Sequence, residues 1–112
     1  IDYIARNATF VHPEISYGDF ADDIDAVLRA LIETDTVIEI NTRRLSAPRG
    51  IKELAPVCRR YRELGGRYVT IGSDAHVPQG IGRNYDRARE LAHAFDLTAV
   101  TFRERKMQIC DE

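Results

Sequence analysis

The sequence contains no tryptophan, one methionine and only two cysteines. Cys58 and Cys110 stand far apart in dissimilar contexts, so neither a disulfide framework nor a CxxC site is expected. No apolar run approaches the length of a membrane span, and the opening residues IDYIARNATF lack the layout of a secretory signal. We therefore expect a cytoplasmic protein with two free thiols.

A strong net charge is also missing. The 16 Lys and Arg residues nearly balance the 18 Asp and Glu residues, which gives a formal charge of -2. This balance argues against a general affinity for nucleic acid or an anionic membrane, although a few arginines suffice for a local phosphate site. The 112 residues, 44% of them hydrophobic, have the composition of one soluble globular domain or of a piece of a larger one.

Apolar periodicity and turn residues predict helices that alternate with strands. Ser16 and Asp19 form a capping signature before the first helix, and Pro56 stands at the expected first position of the second. This alternation predicts the α/β class, with parallel strands joined by right-handed crossovers and no internal domain boundary. The predicted helices cover residues 17–33, 56–64 and 84–95; the predicted strands cover residues 36–41, 67–72 and 97–102, and a charged tail follows.

The run TIGSDAH, residues 70–76, places Asp74 and His76 directly after the second predicted strand. Parallel α/β folds gather their binding groups at that end of the strands. Residues two apart in an extended segment point to the same side, so the carboxylate and the imidazole can share a zinc, manganese or iron ion. The spacing alone leaves equally open that Asp74 caps a turn and that His76 makes an ordinary hydrogen bond.

The other histidines and the nearby serine are weaker candidates for chemistry. His12 precedes Pro13 in a predicted loop, where packing or hydrogen bonding is the usual role of a histidine. His93 stands among polar and small residues of the third predicted helix and is expected to face solvent. Ser73 lacks the G-x-S-x-G context of a hydrolase nucleophile, so a serine-hydrolase site is not predicted.

Four charged residues require an explanation of their own. Glu39 alternates with apolar residues in a predicted buried strand, so we expect it to have an ion-pair partner, either structural or behind a metal ligand. Arg6, Arg43 and Arg44 lie where they could form an anion clamp near strand ends. A solvated surface is the alternative for all three arginines, and it fits Arg44 better than Arg6, which lies in an apolar opening segment.

Five segments of the chain carry a pattern that goes beyond periodicity. They are IDYIARNA, ISYGDFADDIDAVLRALIE, VIEINT, YRELGGRYVTIGSDAHVPQGIGRNYDRARELA and VTFRERK. Together and in this order they resemble the carboxyl-terminal part of the histidinol-phosphatase branch of the PHP metal-dependent phosphoesterases. The resemblance covers nearly the whole chain and is most specific in EINT and GGRYVTIGSDAH.

The resemblance implies the carboxyl-terminal part of a distorted (β/α)7 TIM-like barrel, with up to three divalent metal ions at the carboxyl ends of the strands. The S-D-x-H run of the family then makes Asp74 and His76 metal ligands. Arg6 is the first choice for binding the substrate phosphate, and Arg43 is the second. The family substrate is L-histidinol phosphate, which is hydrolysed to L-histidinol and phosphate in histidine biosynthesis while the metals neutralise the phosphoryl oxygens.

The chain departs from the family pattern in two respects. The loop after the strand glutamate reads NTRRL where the family usually has N-T-S-G-L. The amino-terminal H-x-H motif and the middle ligand motifs of the family are absent from these 112 residues. Residues 1–112 are therefore expected to be the carboxyl-terminal portion of a single PHP domain, inactive alone, that needs the missing part of the barrel or self-association.

Two other functions remain open at this point. Another PHP-type phosphoesterase or a nuclease fits the same fold, although the charge balance and the EINT run favour a small phosphorylated substrate. A non-catalytic remnant that serves as a binding or assembly module belongs to a different class. Bound metal and an upstream H-x-H motif in the encoded protein would distinguish the enzyme from the remnant.

Overall fold

The computed structural model describes residues 16–110, in which a four-stranded sheet shares one core with three α-helices. The helices are α1 (Ala21–Glu33), α2 (Pro48–Glu63) and α3 (Tyr85–Ala94), and the strands are β1 (Ile38–Asn41), β2 (Tyr68–Gly72), β3 (Thr98–Arg103) and β4 (Lys106–Ile109). Short 3-10 turns cover Tyr17–Phe20, Thr42–Ser46 and Pro78–Gly80. Within residues 16–110, no helix is both long and apolar enough to cross a membrane.

The sheet has the order β1-β2-β3-β4, and its first three strands are parallel. This confirms the α/β class. The predicted charged tail is instead a strand, because β4 folds back antiparallel on β3 and makes the sheet mixed. The turn between them uses Glu104 and Arg105 at φ 51° and 64°. Such turns usually carry glycine or asparagine, so the sequence offers no hairpin signal here.

The core lies between one face of the parallel strands and the three helices. Ile40 and Val69 from the sheet, Leu28 from α1 and Ala88 from α3 are all buried there. Removal of such side chains from water is the main source of stability. Cys58 of α2 belongs to the same core, and burial raises the pKa of its thiol to about 12. Cys58 and Cys110 are both free, as predicted.

Helix α2 begins at Pro48, and the prediction of a start at Pro56 is wrong. Pro48 occupies the first helical turn, where a missing N–H costs nothing. Pro56 lies inside the helix and cannot donate to the carbonyl four residues earlier. Leu54, Val57 and Cys58 recur at helical spacing and are buried around it, so their packing outweighs the lost hydrogen bond.

Helix α1 is shorter than predicted, and an ion pair between Asp25 and Arg60 links it to α2. Residues 17–20 form a 3-10 turn rather than α-helix, and the Ser16 side chain makes no capping hydrogen bond. Arg60 donates to both Asp25 carboxylate oxygens, with Nε–Oδ1 at 3.0 Å and Nη2–Oδ2 at 2.9 Å, and the Tyr17 hydroxyl donates to Oδ1 at 2.7 Å. These hydrogen bonds, from Arg60 first and then Tyr17, hold the pKa of Asp25 below its usual value.

Candidate functional site

Asp74 and His76 lie just beyond the carboxyl end of β2, which ends at Gly72. Asp74 has a left-handed backbone with φ 50°, a conformation that aspartate tolerates better than most residues. The backbone therefore bends at Asp74, and the prediction of an extended run is wrong. The bend still brings the two side chains near each other, with His76 Nδ1 at 4.0 Å from Asp74 Oδ1.

The His76 ring is held in an orientation that suits a metal ligand. Its Nδ1 lies 2.8 Å from the Asp74 carbonyl oxygen. Because a carbonyl can only accept a hydrogen bond, Nδ1 carries the proton, and Nε2 of the neutral ring keeps its lone pair. Metal-binding histidines commonly donate their second ring N–H to a carbonyl in this way. The His76 side chain is 70% exposed, so its Nε2 side is open to a ligand.

Arg43 places a cation beside the Asp74 carboxylate. Its Nη1 lies 3.5 Å from Asp74 Oδ2. The Arg43 backbone N–H donates to Asn41 Oδ1 at 3.0 Å, so the last residue of β1 caps the turn that carries Arg43. The structure therefore brings together Arg43, Asp74 and His76 from the loops after two neighbouring strands. Arg6 and His12 lie outside the described residues.

Hydrogen bonds between the two loops fix this arrangement. The Thr42 hydroxyl donates to the Arg83 carbonyl, and the Asn84 side-chain amide donates to the Thr42 carbonyl at 3.2 Å and to Ser46 Oγ at 2.7 Å. Asn84 adopts a left-handed backbone with φ 55° just before α3. Sequence reasoning missed this link, because the partners are about 40 residues apart and only the Asn84 residue type hints at a special conformation.

Arg44 is ion-paired beneath the same turn and is not a solvated surface residue. Its Nη2 contacts Glu53 Oε2, and the two side chains are only 12% and 7% exposed. Arg49 adds a second, more exposed cation at 3.8 Å from Glu53 Oε1. The pair needs a glycine at position 50, because a Cβ there would lie 2.1 Å from the Arg44 carbonyl oxygen. Arg44 thus serves the packing of the turn onto α2.

Glu39 is exposed, so the prediction that it is buried is wrong, and the predicted ion-pair partner is not found within residues 16–110. The strand has one helix-covered face, occupied by Ile40, and Glu39 points to the opposite face across from Thr70. Its carboxylate lies over Gly72, where an added Cβ would come within 2.6 Å of Glu39 Oε2. Within residues 16–110, Glu39 makes neither a hydrogen bond nor an ion pair.

A cavity of about 470 Å³ opens next to Glu39, where β2 and β3 separate. The ladder between these strands contains two residue pairs and ends at Val69 and Ala99. Beyond that pair, residues of both strands line the cavity together with Glu39 and Tyr85 of α3. The strand residues are Thr70, Ile71, Ala99, Val100, Thr101 and Phe102, and Cys110 completes the lining.

The described residues supply only part of a metal centre. In residues 16–110, no group of three or more His, Cys, Asp or Glu side chains is placed to hold a metal ion. His93 faces solvent on α3, as predicted. Asp74 and His76 offer one anionic oxygen and one neutral nitrogen, a donor set that suits zinc and similar ions. Further ligands must come from elsewhere to complete such a site.

No family model matches the sequence, but homologues named histidinol-phosphatase cover this chain. A probable histidinol-phosphatase of Clostridium acetobutylicum is 45% identical over 108 residues, covering 96% of this chain and 42% of that protein. A probable histidinol-phosphatase of Thermotoga maritima is 37% identical over 92 residues, covering 81% of this chain and 37% of that protein. The chain thus spans about two-fifths of the length of the curated relatives it matches.

The fold is also similar to that of a solved enzyme. The crystal structure of histidinol phosphate phosphatase from Lactococcus lactis, complexed with zinc, L-histidinol and phosphate, has a TM-score of 0.86 and 26% sequence identity to this chain. The similarity covers 96% of this chain and 41% of the solved one. Zinc in that structure agrees with the donor set that Asp74 and His76 present.

Proposed function

We propose that this chain is the carboxyl-terminal portion of a PHP-type phosphomonoesterase domain that hydrolyses L-histidinol phosphate to L-histidinol and phosphate in the cytoplasm, as a step of histidine biosynthesis. The supporting observation is the Asp74–His76 pair at the end of a parallel strand, in a chain whose homologues are named histidinol-phosphatase. The open lone pair of His76 Nε2 lies close to the Asp74 carboxylate, so the two side chains offer a divalent ion one nitrogen and one oxygen ligand.

Asp74 and His76 are the residues of this chain that would hold a divalent ion. A bound ion would polarise the phosphoryl oxygens and make a water molecule more acidic. The Nδ1–H···O=C bond of His76 orients the ring and, in the neutral tautomer, leaves the lone pair on Nε2. The remaining ligands, for up to three ions, would come from the part of the domain outside these 112 residues.

Arg43 is placed to bind the phosphate of the substrate. Its guanidinium lies 3.5 Å from the Asp74 carboxylate, so a phosphoryl group bound next to an ion on Asp74 would be within reach of its donors. We propose the same role for Arg6 because of the family resemblance alone. During hydrolysis the ester P–O bond breaks, the oxygen of water joins phosphorus, and a proton goes to the leaving alkoxide.

The rest of a (β/α)7 barrel would cover the open side of this sheet. Within the described residues, β1 pairs only with β2 and leaves its other edge without a neighbour. Open edges and exposed apolar side chains usually mark places where another segment packs. Ile81 and Ile109 are examples of large apolar residues that are exposed here. We propose that an amino-terminal part of the barrel covers this side, or that copies of the chain associate through it.

The test uses the longest encoded form of the protein. We expect it to contain bound divalent metal and to release phosphate from L-histidinol phosphate. Replacement of both Asp74 and His76 by alanine should remove metal and lower kcat/KM by roughly 100-fold or more, because several kcal/mol of transition-state stabilisation is lost. His93→Ala, a histidine change on the exposed side of α3, is the matched control and should leave both values unchanged.

Wild-type-like activity of the Asp74/His76 double variant would show that the ligand assignment is wrong. Residues 1–112 expressed alone should have negligible turnover, since two ligands do not assemble a multinuclear centre. Robust turnover by these residues alone would contradict the proposal that most of the site lies elsewhere. A full-length protein without metal or phosphatase activity would favour a non-catalytic binding module.

A further inference from the structure

We infer that Arg43 and a divalent ion compete for the Asp74 carboxylate, and that a bound phosphate relieves this competition by drawing the Arg43 guanidinium away. Metal loading of the domain would then depend on the presence of the anion. This inference rests on the proposed function for the ion at Asp74. It goes beyond that function, because it gives Arg43 a regulatory role in metal binding in addition to a phosphate contact.

The Asp74 carboxylate is the group for which the two cations compete. Its Oδ2 faces the Arg43 guanidinium, with Nη1 at 3.5 Å, and its Oδ1 faces the His76 ring, with Nδ1 at 4.0 Å. A divalent ion on Asp74 would therefore lie next to a guanidinium that is always charged. Because like charges at short range repel, the ion binds more weakly while Arg43 stays in this position.

The turn after β1 holds the Arg43 backbone in place but leaves its side chain room to move. The backbone N–H of Arg43 donates to Asn41 Oδ1 at 3.0 Å, and Arg44, the next residue, is paired with Glu53 beneath the turn. The Arg43 side chain itself is 42% exposed. The guanidinium can therefore turn from Asp74 to a nearby anion while the backbone of the loop stays where it is.

A bound phosphate reverses the effect of Arg43 on the ion. It offers the guanidinium a partner with which two parallel, charge-assisted hydrogen bonds can form. Once Arg43 has turned to the phosphate, it no longer opposes the ion at Asp74, and the phosphate itself attracts the ion. Linkage then requires that the ion strengthen phosphate binding by the same factor by which phosphate strengthens ion binding.

Both arginines that build this arrangement lie in the run NTRRL, where the family usually has N-T-S-G-L. A serine has neither the charge nor the length to oppose an ion at Asp74 as Arg43 does. A glycine has no side chain to pair with Glu53 as Arg44 does. The competition is therefore a property of the loop of this chain and not of the family pattern.

A purely structural role for the Arg43–Asp74 pair makes the opposite prediction. If Arg43 only kept the loop of Asp74 in position, its removal would loosen the loop and weaken the binding of the ion. If Arg43 competes with the ion, its removal strengthens ion binding. The sign of the change in metal affinity therefore separates the two roles without any measurement of turnover.

The experiment measures Mn²⁺ binding to the longest encoded form by electron paramagnetic resonance of the free ion. The binding step that is lost in the Asp74→Ala/His76→Ala double variant reports on this site. Without phosphate, Arg43→Gln should lower the Kd of that step by roughly 3- to 10-fold, because a partly exposed cation next to the ion is removed. Arg43→Lys keeps the charge and should stay within about twofold of the wild type.

Inorganic phosphate provides the second half of the experiment. Saturating phosphate should lower the wild-type Kd for Mn²⁺ at this site by roughly 5- to 20-fold, and the factor for Arg43→Gln should be about threefold smaller or less. Arg62→Gln is the matched control, because Arg62 also pairs with an aspartate, Asp96 at 2.9 Å, but lies before β2 instead of after β1. It should change neither the Kd nor the effect of phosphate.

The outcomes distinguish this inference from the proposed function. A Kd for Mn²⁺ that Arg43→Gln leaves unchanged or raises would overturn the competition, and so would a phosphate effect that is equal in both proteins. If the wild type nevertheless hydrolyses L-histidinol phosphate, the proposed function stands. Mn²⁺ binding that shifts as expected in a protein that hydrolyses no L-histidinol phosphate would support the competition and contradict the proposed phosphatase. A wild type that binds no Mn²⁺ through Asp74 would contradict both.

Discussion

The two faces of the sheet differ in how completely this chain covers them. One face carries Ile40 and Val69, which are sealed by three helices into a core. The opposite face carries Glu39, which is exposed, and Thr70, which is half-buried. Within the described residues, helices therefore cover one face of the sheet, which we call the finished face. The other face, which carries Glu39 and Thr70, is left open and is called the unfinished face. The candidate functional groups all belong to the unfinished side or to the loops at its rim.

This difference separates stability from function along the same strands. Residues that alternate along β1 have different surroundings, since Ile40 packs against the helices while Glu39 points away from them. Parallel strands with helices on one face require this division whenever the other face lines a barrel interior. Substitutions on the two faces should consequently produce different kinds of defect.

The largest effect is expected from the finished face. Leu28 of α1 is 0% exposed in the centre of the core. Leu28→Ala should lower the free energy of unfolding by about 2–5 kcal/mol, because it removes buried methyl groups and leaves a cavity. Urea unfolding of the longest encoded form measures this. Val27→Ala, its neighbour with 47% exposure, is the matched control and should cost less than about 1 kcal/mol.

The comparison of the faces fails if Thr70→Ala, on the open side, destabilises as much as Leu28→Ala. Thr70 is half-buried within residues 16–110 and loses only a methyl and a hydroxyl group, so even beneath the rest of the domain its truncation should cost less than Leu28→Ala, about 0.5–1.5 kcal/mol. An equal cost would show that the rest of the domain packs on this face as tightly as the helices pack on the other.

Sequence patterns predicted the finished face better than the unfinished one. The apolar runs around Ile40 and Val69 were sufficient to predict β1 and β2, and helical spacing was sufficient to predict α1 and α3. Burial on one side of an element imposes a regular period on its apolar residues. Pro56 misled because proline is a strong local signal, whereas the tertiary packing of α2 is not local. Strand β4 was missed because the turn before it places Glu104 and Arg105 at positive φ, a conformation that these residue types rarely adopt.

The candidate site was only partly predictable for a related reason. Asp74 and His76 could be found from their position after a strand, since the carboxyl ends of parallel strands share one edge. The exposure of Glu39 could not, because an apolar strand looks the same whether its second face is covered by the chain or left open. The Arg44–Glu53 pair was missed because the two partners belong to different elements.

A medium effect is expected where the core meets the site. Glu53 of α2 forms an ion pair with Arg44 beneath the turn that carries Arg43. Glu53→Gln should cost about 1–3 kcal/mol in unfolding free energy, because it removes the negative charge that Glu53 places beside a largely buried guanidinium. The measurement is again urea unfolding, accompanied by the KM for L-histidinol phosphate, which should rise if the turn positions Arg43.

Glu63→Gln provides the matched comparison for that variant. Glu63 lies on the same helix and pairs with Arg60 at 3.2 Å, but its side chain is 52% exposed. Exposed pairs contribute roughly 0–1 kcal/mol, so this change should be nearly silent. If both variants had the same small effect, the Arg44–Glu53 contact would not hold the turn.

The smallest effect is expected from the ion pair between α1 and α2, and it should depend on pH. The pKa of Asp25 is held below its usual value by the hydrogen bonds from Arg60 and Tyr17. The unfolded chain therefore takes up the proton at a higher pH than the folded one. The stabilisation is complete above the usual aspartate pKa and is lost as pH falls through the lowered folded pKa.

Asp25→Asn removes this dependence and so tests its sign. Near pH 6 the urea midpoint of the wild type should be higher than that of the variant. The difference between the two midpoints should become smaller as the pH falls below about 4 and passes through the lowered pKa of Asp25 in the folded state. Asp23→Asn, an exposed change on the same helix, should give no comparable narrowing. A gap that stayed constant down to pH 3 would mean that Asp25 acts through packing alone. In that case apolar contacts, and not the Asp25–Arg60 ion pair, would hold α1 against α2.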